Sequence, residues 1–148
     1  MSIPSPLVTL RDHILTLPAI TSLVGADGVI VGAVTPALKD MMPRKLVQLL
    51  PGGTFENSPE YPYWKVRVQV NAYDKTPYGA HRISLILIES LQGVNEVIVE
   101  AVDHSEGVRA RITDIEHVGG PMPLVDEHMQ NAQLEVTFWS VGAIRAET

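Results

Sequence analysis

The chain has 148 residues, 45% of them hydrophobic and 19% charged, with 11 glycines, 11 prolines and no cysteine. One globular domain fits that length and apolar share, while disulfide scaffolds and cysteine-based zinc sites are excluded. The formal charge of −6, from 11 Lys and Arg against 17 Asp and Glu, argues against gripping nucleic acid, which needs clustered cations that release counterions from phosphates. The densest basic runs are Arg44-Lys45 and the pair Arg109 and Arg111. The apolar runs fall far short of the roughly 20 residues that span a bilayer. No basic stretch followed by an apolar one opens the sequence, so neither a membrane segment nor a signal peptide is expected.

Ser5-Pro6 has the form of a helix start, a capping serine before a proline tolerated in the first turn. Leu7, Leu10, Ile14 and Leu17 then recur at helical spacing, and Pro18 ends the run. A short helical turn through Ile20, Leu23 and Val24 follows. The β-branched run 29–34 predicts a buried strand stopped by Pro36. Residues 45–50 predict a second strand, ended by Pro51-Gly52-Gly53. The polar, proline-containing stretch 54–62 predicts a long exposed loop.

Residues 64–73 alternate cleanly. Trp64, Val66, Val68, Val70 and Ala72 share one side; Lys65, Arg67, Gln69, Asn71 and Tyr73 share the other, as in a half-buried strand. Thr76-Pro77 starts another helix, with Ala80, Ile83, Leu87 and Leu91 as its apolar stripe. Strands at 97–102 and 108–118 follow, joined by turn formers at 103–107. A second long connection is expected over 119–131. Residues 133–141 close the sheet, with Leu134, Val136 and Phe138 opposite Glu135, Thr137 and Trp139. This order predicts an α+β fold. It is a mainly antiparallel sheet of about four to six strands with two helices packed on one face, in a single domain spanning 1–148.

Reactive chemistry finds little purchase. The glycine-rich stretch 25–32 leads into a strand rather than a helix, so it reads as a turn and not a phosphate loop. There is no G-x-S-x-G elbow and no H-E-x-x-H helix. His117 and His128 flank the 119–131 connection, with Asp126 and Glu127 nearby. Metal ligation needs three or four converging groups, and no H-x-H or H-x-x-x-H spacing occurs, so no metal and no cofactor is expected. Asp126 with His128 is the candidate for a small hydrolase-type site, weighed against solvated loop residues. The two expected loops carry Phe55, Tyr61 and Tyr63, and Met122, Leu124 and Met129. Aromatics and methionines on loops are typical protein–protein anchors. Trp139 would stand on a wet sheet face unless an interface buries it.

Residues 42–50, then a Gly-Gly turn, then 66–74 running into Thr76-Pro77-Tyr78-Gly79-Ala80-His81-Arg82-Ile83 form an ordered pattern. So do Arg111-Ile112-Thr113-Asp114-Ile115, the proline-rich stretch with Asp126, and Val136-Thr137-Phe138-Trp139. Together these segments resemble the tail terminator, or tail-completion, family of tailed-bacteriophage neck proteins, by order and spacing rather than by a diagnostic residue. Ala72-Tyr73-Asp74 departs from the Tyr-Gly or Trp-Ala pair that often continues the strand there. The resemblance implies a non-enzymatic virion structural protein, assembled in the host cytoplasm and placed in the tail or neck. It would form a hexameric ring that caps the tail tube, ends tube polymerisation and presents the head–tail joining surface around a DNA channel. Its partners would be copies of itself, the tail tube protein and the head–tail connector protein, with double-stranded DNA passing through unbound and no membrane involved. On this reading Arg67, Arg109, Arg111 and Trp139 make the subunit contact. Phe55, Tyr61, Tyr63, Met122, Leu124 and Asp126 meet the tube or connector. The alternatives are a head-completion or connector subunit of the neck, or a small hydrolase-type enzyme.

Overall fold

The computed structural model describes residues 6–58, 63–92, 95–100 and 109–145, with side chains described for 6–52, 65–92 and 110–143. Helix α1 (Pro6–Leu15) and the short α2 (Pro18–Val24) lead into strand β1 (Val29–Val31). Helix α3 (Pro36–Asp40), strands β2 (Leu46–Ser58) and β3 (Tyr63–Asp74) and helix α4 (Pro77–Leu91) follow. Strands β4 (Asn95–Glu100), β5 (Arg109–Asp126) and β6 (Ala132–Arg145) complete the chain, with a 3-10 turn at Glu127–Met129. The six strands form one sheet in the order β1-β2-β3-β6-β5-β4. Among the described residues only β1 and β2 pair in parallel, and every other pairing is antiparallel.

Local chemistry explains the helix starts. The Thr76 hydroxyl accepts a hydrogen bond from the Gly79 amide at 3.1 Å, and Pro77 follows it in the first turn. This satisfies one of the amides that a helix leaves unpaired at its start. Helix α4 then lays Ala80, Ile83, Leu87 and Leu91 on the sheet, all at most 1% exposed. Leu10 and Ile14 of α1 join them, and both are fully buried. The sheet answers with Val47, Leu49, Val68, Val70, Ile112, Ile115, Trp139 and Val141. Each fully buried aliphatic side chain contributes roughly 1.5–3 kcal/mol, so this face holds most of the stabilising burial.

The other face carries a smaller cluster of Met42, Leu46, Tyr73, Ala132, Leu134 and Val136, with Phe138 and Met129 packed at its margin. Both faces therefore bury apolar side chains, and this corrects the placement of Trp139. It points into the helix-covered core at 0% exposure, and its indole N–H donates to the Thr137 hydroxyl at 2.8 Å. It is unavailable for a subunit contact.

The two expected loops are also corrected. Residues 54–58 extend β2, paired with β3 through Phe55↔Val66 and Ser58↔Tyr63. Residues 59–62, Tyr61 among them, lie outside the described residues, as do Ser5 and the 103–107 turn. Residues 119–126 are the outer half of β5, held to β6 through Met122↔Val136, Leu124↔Leu134 and Asp126↔Ala132. The glycines and prolines there are absorbed by irregularity rather than by leaving the sheet. Register shifts fall between Ile112 and Asp114, His117 and Gly119, and Gly119 and Met122. Gly120 has φ +83°, and a methyl group on it would run into the Val136 carbonyl oxygen. Helix α3 was not expected, although Thr35-Pro36 repeats the start signal of α4 and the Thr35 hydroxyl accepts from the Leu38 amide at 3.3 Å.

Candidate functional site

Adjacent strands place odd-numbered β3 residues and even-numbered β6 residues on the sheet face opposite α1 and α4. A row of amides crosses this open face. Gln48 Nε2 donates to the Gly32 carbonyl at 2.9 Å, and Asn71 Nδ2 donates to Gln48 Oε1 at 3.0 Å. Gln69 Nε2 in turn donates to Asn71 Oδ1 at 3.0 Å. The Tyr73 hydroxyl donates to Asp126 Oδ2 at 3.1 Å. Burial first, and the nearby Asp126 carboxylate second, push the Tyr73 phenol above its usual range, so it stays a protonated donor. Asp126 Oδ1 accepts from the His128 amide at 3.0 Å and caps the 3-10 turn.

Gln69, Asn71, Tyr73 and Asp126 line a groove of about 400 Å³ whose apolar wall is Leu124, Val125, Leu134 and Val136. Met122 and Leu124, on the same face, are each 46% exposed. Asp126 meets the backbone amide of His128, not its ring, so its observed contacts are a helix-turn cap and the Tyr73 hydroxyl. His117 lies elsewhere, with its ring centroid 5.0 Å from that of Trp139 and its Nε2 2.9 Å from the Gly119 carbonyl. Among the described residues no three His, Asp or Glu side chains converge to hold a metal.

At the far end of the same face lies a polar depression of about 380 Å³ lined by Lys65, Arg67, Glu116 and Ser140. Lys65 reaches Asp114 at 3.3 Å. The residue paired between them on β6 is Gly142, which has no side chain to block the ion pair. Arg67 is exposed and Arg111 half-buried. The side chains of Arg109, Phe55 and Tyr63 lie outside the described residues. Thus Met122, Leu124 and Asp126 share one end of the open face with the amide row, whereas Arg67 belongs to the other end.

Sequence reasoning missed the outer surface of α4. There Tyr78 is 76% exposed and Leu85 49%. His81, on the same helix, bonds Glu135 on the sheet face beneath it, Nδ1 to Oε1 at 2.9 Å. Glu135 is 7% exposed. The signal was present in the spacing of Tyr78 and Leu85, two turns apart and off the buried stripe.

The molecule is therefore a two-layer α+β fold with one face closed by helices and, among the described residues, one open. No protein-family model matches the sequence, and no curated protein matches it. Among solved structures, a chain from the virion of a native gene transfer agent particle is similar in fold, with a TM-score of 0.55 at 11% identity. The match covers 93% of this chain and 92% of that one. A second solved structure aligns over 92% of this chain and 96% of its own at 14% identity, with a TM-score of 0.43.

Proposed function

We propose that this chain is a non-enzymatic structural protein of a virion and, within that class, the ring-forming terminator of a tail tube. The observation that carries the reading is the fold shared end to end with a virion chain, 93% of one against 92% of the other. The sequence resemblance to tail terminators supplies the finer assignment. The open sheet face supports it physically, because exposed Met122 and Leu124 beside a polar groove suit contact with another protein. Arg67 and Arg111 are proposed for subunit contact, and Met122, Leu124 and Asp126 for contact within the assembled particle. A net charge of −6 suits a collar through which DNA passes unbound, since like charges repel.

Electron microscopy of particles assembled without this protein tests the assignment. Tails of uncontrolled length are expected. Tails of normal length on filled heads that leak DNA would reassign the chain to the head–tail connector. Normal, infectious particles would remove it from the virion altogether.

A further inference from the structure

We infer that the outer surface of α4 in one copy packs on the outer arm of β5 in the next, as a head-to-tail contact between opposite faces of the fold. The inference rests on the ring reading and specifies how the ring is joined. Met41, Val118 and Val125 are exposed among the described residues, and so are two larger apolar patches: Tyr78 with Leu85 on the helix layer, and Met122 with Leu124 on the sheet layer.

Their charges are complementary. Lys75 and Arg82 are exposed around Tyr78, and among the described residues neither side chain has an ion-pair partner. Of the acids near them, Asp74 pairs with Lys45 at 2.9 Å and buried Glu135 with His81, while Glu89 is exposed a turn beyond Leu85, at the end away from Tyr78. On the sheet side, the groove beside Leu124 ends in Asp126 and Glu127. An aromatic and aliphatic patch fringed by free cations therefore faces, in the next copy, an aliphatic patch fringed by carboxylates.

Their heights agree as well. A closed ring is built by rotation without rise, so the two halves of a head-to-tail contact must lie at the same level; an offset would give an open helical filament. His81 bonds Glu135, and the β5 residue paired with Glu135 is Pro123, which stands between Met122 and Leu124. The two patches are thus back to back through one level of the sheet. Because they lie on opposite faces of the sheet, a single two-fold interface cannot bring both into contact at once.

The contact joins side chains rather than strands. Among the described residues β4 pairs with β5 only as far as Asp114, which leaves the outer edge of the β5 arm without a partner strand. Proline sits in a ladder where its nitrogen faces away from the partner strand, so Pro123 takes a donor from that free edge.

The absence of cysteine makes the test clean. Full-length protein carrying both Tyr78→Cys and Leu124→Cys, assembled alone or on tail tubes, is treated with a short bis-maleimide. A ladder of covalent multimers up to the ring number is expected, while each single variant stays monomeric. In parallel, Tyr78→Glu and Leu124→Glu should each lose the ring. An equimolar mixture of those two should form a dimer and nothing larger, because each pair retains one intact contact. Wild-type rings with no ladder from the double variant overturn the inference, as do rings that survive both glutamate substitutions or a single-cysteine variant that links to itself. Wild-type protein that stays monomeric both alone and on tubes overturns the ring reading itself.

Discussion

The two faces of the sheet use the same strands for opposite ends. Under α1 and α4 the strands present valines, isoleucines and Trp139, nearly all without exposed area. On the open face they present Gln48, Asn71, Tyr73 and Asp126 in a connected polar row, with methionine and leucine left in water beside it. A face closed by its own helices gains stability from burial that is already complete. A face left open must satisfy its polar groups internally and keep apolar area for another molecule. Stability and contact can then be changed separately, one from each side.

Four measurements would break or sharpen that contrast. Trp139→Ala empties the largest fully buried side chain and should cost about 3–5 kcal/mol in denaturant unfolding. A cost under about 1 kcal/mol would mean the covered face is not closed. Asn71→Ala leaves the buried Gln48 carbonyl without its main donor. It should cost about 1–3 kcal/mol, and a neutral result in the same assay would show the polar row to be decoration.

The third concerns a weak point in the covered layer. His13 is 7% exposed, and its Nε2 has no hydrogen-bond partner among the described residues. Burial holds its pKa below the ordinary 6.5, so at mildly acid pH the unfolded chain binds a proton that the folded chain refuses. Stability contributed by this site is therefore complete above about pH 6.5 and falls as pH drops below it. His13→Leu should flatten that part of the profile of urea midpoint against pH, and an unchanged slope would assign it to other groups. The smallest effect is expected on the open face. Arg67→Ala should leave monomer stability within about 0.5 kcal/mol of wild type while weakening assembly by sedimentation. A large loss of monomer stability would place Arg67 in the fold rather than the contact.

Much of the covered layer is legible in the sequence because its signals are local. The stripe Ala80, Ile83, Leu87 and Leu91 announces α4, and the alternation from Val66 to Ala72 announces β3. The outer half of β5 is not legible, because what makes Gly119 to Asp126 a strand is pairing with β6, not its own composition. Glycine and proline mark a loop only when no neighbouring strand is there to hold them. Trp139 was misplaced for a related reason. Both faces bury apolar residues at their centres, so alternation separates the two sides without saying which one the helices cover. Of the candidate site, Met122, Leu124 and Asp126 were visible as bulky or charged residues in an unusual stretch. The amide row was not, since Gln48, Asn71 and Gln69 meet only through cross-strand register, and neither was α4, whose outer residues read as ordinary helix surface.

The missing donor at Pro123 has a consequence for the chain before it is built into anything. Among the described residues the outer arm of β5 carries a rim with no partner strand beyond Asp114, the usual seed for stacking into amyloid-like ribbons. A rim with a gap in its hydrogen-bonding row is a poor template, so crowded, unused molecules stay dispersed and fit for later use.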